Sequence, residues 1–184
     1  MTAQRKWLLL VSVLLFMVLA FTAVLMLQPR LETMHKVIEK EYQSVAHLSA
    51  SGFAELDADT VVIFDVREPK EFEVSHIDGA IQIMPAIEPS EFIQNYGDLL
   101  AGKQVVFYCS VGRRSSALLS KLADAPFKLG AQSSYNLIGG VFSWVNQGRQ
   151  LSSSSQAMTN QVHPYNRYWG RLVEDQSKLS YTAD

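Results

Sequence analysis

The stretch Val105-Val106-Phe107-Tyr108-Cys109-Ser110-Val111-Gly112-Arg113-Arg114-Ser115 decides how this chain is read. Four apolar residues in a row make a buried strand, and residues 115–122 beyond it have helical spacing. Between the two the chain turns at Gly112, whose missing Cβ lets the backbone take a positive φ. A loop feeding a helix N-terminus turns several backbone N–H groups into one cavity, and the helix dipole adds partial positive charge there. Such a loop holds anions and stabilises a thiolate. A cysteine placed there, near arginines, falls well below its ordinary pKa of about 8.5. Cys109 is therefore the candidate nucleophile, and Ser110, Val111, Gly112, Arg113, Arg114 and Ser115 form its candidate substrate-binding loop. The competing reading is a buried core cysteine, but that role needs neither the glycine nor the two arginines.

Outward from this stretch, short apolar runs alternate with helical ones. Residues 44–48 read as an edge strand and 50–56 as a helix. Residues 61–64 read as a buried strand ending at Asp65. Residues 69–74 form a helix with Pro69 in its first turn, 80–83 a strand, and 89–100 a helix. The last strand, 134–138, precedes Gly139-Gly140 and a helix through Trp144. This alternation predicts an α/β domain over 44–150 with a mainly parallel central sheet flanked by helices. Ligands of such sheets bind at the carboxyl ends of strands, where Asp65 and Cys109 both stand. Asp65 and Arg67 are placed to pair there as supporting residues, with Glu71 joining them.

Three motifs, taken in order, carry a resemblance. The first is Asp65-Val66-Arg67-Glu68-Pro69-Lys70-Glu71-Phe72, followed by Ser75-His76-Ile77-Asp78-Gly79-Ala80. The second is the cysteine loop, and the third is Gly139-Gly140-Val141-Phe142-Ser143-Trp144. Together they cover about residues 44–149 and resemble the D-x-R-x-x-x-E-[FY], G-H-I-x-G-A, C-x-x-G-x-R-S and G-G-x-x-x-W signatures of single-domain rhodaneses. Ser75 stands where that family usually has glycine. The resemblance implies a rhodanese-like fold and sulfurtransferase activity. The Cys109 thiolate would take the outer sulfur of a small anionic donor such as thiosulfate. Amides of residues 110–114 would hold the resulting persulfide, and a thiol or cyanide would remove the sulfur. Arg113 and Arg114 would attract the donor, and Arg114 with Ser115 would shape the loop exit. No metal or organic cofactor is implied. His76 becomes a turn histidine rather than a base toward Cys109, and Trp144 a core residue. Cysteine-dependent phosphatases and arsenate reductases use C-x5-R, whereas here Ser115 occupies the sixth position and arginine the fifth. The remaining alternative is a membrane-tethered binding or sulfur-carrier module without turnover.

Composition sets the other bounds. A single cysteine excludes a disulfide framework and a cysteine-rich zinc site. The four histidines show no HExxH spacing, so no metal site is suggested. No basic run interleaves with aromatics, which leaves nucleic-acid binding without a basis.

The first 30 residues carry Arg5, Lys6 and Arg30 and no acid, so the remainder has a net charge of −5. Residues 7–27 are 21 in a row without charge. As a helix they span about 31 Å, close to the ~30 Å hydrocarbon thickness. Residues 1–30 thus read as a membrane anchor. The alternative is a signal sequence cleaved after Ala20, although such apolar cores usually run about 7–15 residues. Arg5 and Lys6 favour an inside N-terminus, which places the domain outside the cytoplasm, in the periplasm of a Gram-negative source. Arg30, Lys36 and Lys40 oppose that bias.

Residues 31–43 have apolar side chains at Leu31, Met34, Val37, Ile38 and Tyr42, the pattern of an amphipathic connector. The Ser-rich run after Gln150 reads as a flexible linker that opens the 151–184 tail. There His163-Pro164-Tyr165-Asn166-Arg167-Tyr168-Trp169-Gly170 carries more aromatic surface than usually stays in water. It either packs back on the domain or docks onto a protein partner or membrane surface.

Overall fold

The computed structural model describes residues 3–26 and 30–183. The chain divides into two compact units, Met1–Arg30 and Leu31–Asp184. The first is one helix, α1 (Ala3–Met26). Its described side chains from Leu10 to Leu19 are all exposed. Among the described residues, no helix is long and apolar enough to cross a membrane. The described residues therefore give no support to the anchor expected over residues 7–27. The side chains of residues 20–27, including the expected cleavage position, lie outside the described residues.

The second unit is built on five parallel strands. These are β1 (His47–Leu48), β2 (Val61–Asp65), β3 (Ile81–Gln82), β4 (Gln104–Tyr108) and β5 (Ser133–Leu137), in the order β1-β5-β4-β2-β3. β4 lies at the centre and is apolar on both faces, as a parallel sheet covered on both sides requires. Val105 and Phe107 enter one core with Phe64, Phe92 and Leu118. Val106 and Tyr108 enter the other with Leu137, Val141 and Phe142. The period-two alternation of a strand makes this division.

Helices α2 (Leu31–Glu41), α3 (Ala50–Ala54), α4 (Pro69–Val74), α5 (Pro89–Tyr96), α6 (Arg113–Leu122), α7 (Ala125–Lys128) and α8 (Gly140–Asn146) connect and cover the strands. α2 is not a free connector, because Leu31 and Met34 pack against the core and Ile38 is buried. The helix expected over 89–100 ends at Tyr96 and tightens into a 3-10 turn, Gly97–Leu99, where glycine's low helix propensity interrupts it.

The Ser-rich run corrects the expectation of a flexible linker. Strands β6 (Leu151–Ser152) and β7 (Met158–Thr159) close an antiparallel hairpin. Ser152 and His76 exchange two backbone hydrogen bonds of 2.8 Å. The Ser152 hydroxyl donates to Asp78 Oδ1 at 2.7 Å. Of the serines that suggest a linker in isolation, Ser152 is bonded to the turn at 76–78 and Ser153 to Ala157 and Ser155 within the hairpin. Beyond the hairpin, Val162, Leu172 and Val173 are buried in the core. Helix α9 (Arg167–Gly170) starts where the Asn166 side chain accepts from the Tyr168 and Trp169 amides. The tail packs back on the domain.

Candidate active site

β4 delivers Cys109 to the carboxyl edge of the sheet, and Gly112 turns the chain straight into α6. Gly112 has φ 95°, and a Cβ there would stand 3.0 Å from Asn136 Nδ2 and 3.2 Å from the Leu137 carbonyl oxygen. The loop is closed from below by the start of α8. The Val141 amide donates to the Cys109 carbonyl at 2.9 Å, and the Phe142 amide donates to that of Ser110 at 3.2 Å. A Cβ on Gly140 would lie 2.1 Å from the Cys109 oxygen. The paired glycines of the third motif thus let one helix start brace the loop that opens another.

Within that loop the Gly112 amide donates to Cys109 Sγ at 3.2 Å. Burial pushes the Cys109 thiol up. The Arg114 charge and hydrogen bonds from Ser115 and the Val111 amide outweigh it, so the thiol ends below its ordinary value. Ser115 also donates to Asn136 Oδ1 at 2.6 Å, tying the first turn of α6 to β5.

Glu71 holds the other side of the loop. Its carboxylate accepts from Arg114 Nη1 at 2.7 Å and Nη2 at 2.8 Å, and from the Ser110 hydroxyl at 3.0 Å. Arg114 Nη2 also donates to Ser110 Oγ at 2.9 Å. Burial pushes the Glu71 carboxyl up, but these Arg114 contacts bring it below the ordinary range. The expectation that Glu71 joins Asp65 and Arg67 is therefore corrected. Glu71 lies in the first turn of α4 and reaches across to α6.

Asp65 and Arg67 do pair, as an ion pair buried on both sides. Arg67 Nε donates to both Asp65 oxygens at 2.9 and 3.0 Å, and Nη2 donates to Oδ2 at 2.6 Å. Nη2 also reaches the Ser75 carbonyl at 2.6 Å. Burial opposes the Arg67 charge, but Asp65 more than restores it. Ser75, in the usual glycine position, has φ −172°, extended backbone that any residue adopts, so the turn needs no glycine. His76 Nδ1 meets the Phe72 carbonyl at 3.1 Å, and its ring stacks on Phe72, so it is a turn histidine. Trp144 is only half-buried, at the edge of the core against Phe53.

A cavity of about 120 Å³ opens over Cys109. The loop expected from sequence forms its floor, with Ser110, Val111, Arg113 and Arg114 all lining it. Its far wall, missed from the sequence, is Tyr165 and Trp169 of the tail. The Arg114 guanidinium lies 4.9 Å from the Tyr165 ring centre. Arg113 is paired at 3.0 Å with Glu41 of α2. The sequence signal for these aromatics was their excess, which marked the tail without locating it. Among the described residues, no three His, Cys, Asp or Glu side chains gather to hold a metal ion. The arrangement suits a thiolate nucleophile whose product anion is held by loop amides and Arg114.

A family model described as the rhodanese-like domain matches residues 52–147. The uncharacterised protein slr1261 of Synechocystis is 34% identical over 116 residues, 62% of this chain and 60% of that protein. A probable adenylyltransferase/sulfurtransferase, MoeZ of Mycobacterium tuberculosis, is 33% identical over 91 residues, 47% of this chain and 21% of MoeZ. The tRNA uridine(34) hydroxylase of Bacillus velezensis is 32% identical over 125 residues, 65% of this chain and 36% of the hydroxylase. This chain thus spans less than two thirds of each relative. The solved thiosulfate sulfurtransferase of Pseudomonas aeruginosa shares the fold, with a TM-score of 0.51 at 22% identity over 67% of this chain and 23% of that one.

Proposed function

The chain belongs to the rhodanese-like domain family, and on that premise we propose that it is a sulfurtransferase working through a persulfide on Cys109. The observation that carries this reading is the position of Cys109 Sγ. It sits at the start of α6, within reach of the Gly112 amide, beside Arg114, and at the floor of an open cavity. The thiolate attacks the outer sulfur of a thiosulfate-like or persulfide donor. A bond forms between Cys109 Sγ and that sulfur while the donor's own sulfur bond breaks, and the leaving group departs with the electron pair. The loop amides then hold the terminal sulfur of the persulfide. A thiol or cyanide attacks that sulfur and restores the Cys109 thiolate.

Glu71 keeps the loop in shape by holding Arg114 and Ser110 together. Arg114 supplies the charge that does most to lower the thiol's pKa. The Asp65–Arg67 pair fixes the strand end and the turn at Ser75.

The test is the intact mass of the full-length chain after incubation with thiosulfate or polysulfide. A gain of about 32 Da, one sulfur, that cyanide removes and Cys109→Ser abolishes, is expected. A folded protein that takes up no sulfur from either donor rejects the reading. Sulfur uptake that no thiol or cyanide reverses favours a carrier without turnover.

The reading also includes attachment to a membrane, with the Cys109 domain on the extracytoplasmic side. Its support is the run of 21 uncharged residues at 7–27, preceded by Arg5 and Lys6. Retention of the full chain in the membrane pellet after alkaline carbonate washing, with protease access to the domain only from the periplasmic side, is the expected result. Release by carbonate rejects the anchor.

A further inference from the structure

The tail forms a wall of the cavity over Cys109, yet it lies beyond the 52–147 region matched by the family model. Tyr165 carries a φ of 63°, in the left-handed region that bulky side chains avoid. Such a conformation persists only where its surroundings enforce it, and it directs attention to function. Here the buried His163 enforces it, since its Nδ1 accepts from the Tyr165 amide at 3.0 Å. Asn166 then starts α9 and brings Trp169 to the same wall.

The arginines of this cavity are not free to greet a dianion. Arg114 gives two short hydrogen bonds to Glu71 and packs on the Tyr165 ring. Arg113 faces Glu41. Each guanidinium already has a carboxylate partner, while Val111, Tyr165 and Trp169 present mainly apolar surface. A small dianion entering here would lose hydration with little compensating charge. A donor with one negative charge and a flat or apolar body would lose less and gain contact with the rings.

Resting on the sulfurtransferase reading, we infer that Tyr165 and Trp169 are specificity-determining residues that select monoanionic organic sulfane donors, aryl or alkyl, over the thiosulfate dianion. The chemistry balances for each donor class. Cys109 thiolate attacks the outer sulfur, the new S–S bond forms, and the old sulfur bond breaks with its electrons on the leaving group. That group is an arenesulfinate from an aryl thiosulfonate, a thiolate from an organic persulfide, and sulfite from thiosulfate. In each case the transferred sulfur stays on Cys109, and no external oxidant is consumed.

The experiment measures kcat/KM of the full-length chain in detergent for benzenethiosulfonate and for thiosulfate, with cyanide as acceptor. The variants are Tyr165→Gly, which removes the ring and relieves the positive φ, and Trp169→Leu, which keeps apolar bulk without the flat indole. The benzenethiosulfonate-to-thiosulfate ratio is expected to fall about tenfold in Tyr165→Gly, through a higher KM for the aryl donor. Thiosulfate kcat/KM should fall by less than that of the aryl donor. Trp169→Leu should lower the same ratio in the same direction. A ratio unmoved in two folded variants overturns the inference and leaves the sulfurtransferase reading intact. Failure of the unsubstituted chain to turn over either donor overturns both.

Discussion

Two carboxylate–arginine pairs come from one short run of sequence, and they do opposite things. Asp65–Arg67 is sealed, with neither side chain exposed. Arg67 Nε and Nη2 donate to Asp65, and Nη2 also to the Ser75 carbonyl, all within eleven residues of chain. Glu71–Arg114 joins residues 43 apart, and its arginine, with a quarter of its side chain exposed, lines the Cys109 cavity. Both carboxylates are fully buried, so burial alone does not separate them. What separates them is where the second partner lies. A pair closed within one strand end secures architecture, while a pair that crosses to the cysteine loop shapes the site.

Substitutions should pull the two pairs apart. The largest effect is expected at the sealed pair. Asp65→Asn or Arg67→Met leaves a buried charge without its counterion and should cost about 3–5 kcal/mol, read as a lower urea midpoint. Sulfur transfer per folded molecule should survive. Unchanged stability would show that the pair is not the architectural element described here.

Glu71→Gln comes next. It removes the acceptor of two Arg114 bonds and one Ser110 bond, at an expected cost of about 1–3 kcal/mol. Unlike the first substitution, it should also reduce turnover of the folded fraction. Its acid profile sharpens the contrast. The folded-state Glu71 pKa lies below its ordinary value, so its contribution to stability is complete above that value. The contribution is lost as pH falls from the ordinary carboxylate range, near 4.5, toward the folded value. Thermal midpoints recorded from pH 6 down to 3 should fall less steeply in Glu71→Gln.

Arg114→Gln tests the loop from the other end. Removing that charge leaves burial to push the Cys109 thiol up, so alkylation rates should follow a pH curve displaced to higher pH. Activity at neutral pH should drop accordingly. A curve that does not move would mean the loop amides and Ser115 alone hold the thiolate. The smallest effect is expected at Arg113→Gln. Its partner Glu41 is exposed and the pair is solvent-screened, so the thermal midpoint should stay within about 1 °C.

Much of this was legible in local sequence. The apolar runs ending at Asp65 and Cys109 mark central strands of the parallel sheet, because a strand covered on both faces must be apolar throughout. Gly112 and the residues after it mark a turn into a helix. Asp65 and Arg67, two apart beyond a strand end, are near enough to pair whatever the rest of the chain does. Glu71 stands near Asp65 and Arg67 in sequence, but its hydrogen-bonded partner Arg114 lies 43 residues away, which no local pattern shows. The serines after Gln150 read as a linker because composition reports polarity, not whether a turn stands ready to accept the bonds.

By itself the sequence determined where the cysteine loop lies and the parallel α/β sheet that presents it. Those depend on neighbours a few residues apart, where chain connectivity imposes the geometry. Tertiary structure alone decided that Glu71 belongs to the cysteine loop, that α2 supplies Glu41 to Arg113, and that Tyr165 and Trp169 wall the cavity. Each of those contacts closes between residues more than 40 positions apart. Such approach is set by how the whole core packs, a sum over many buried side chains that no local pattern contains.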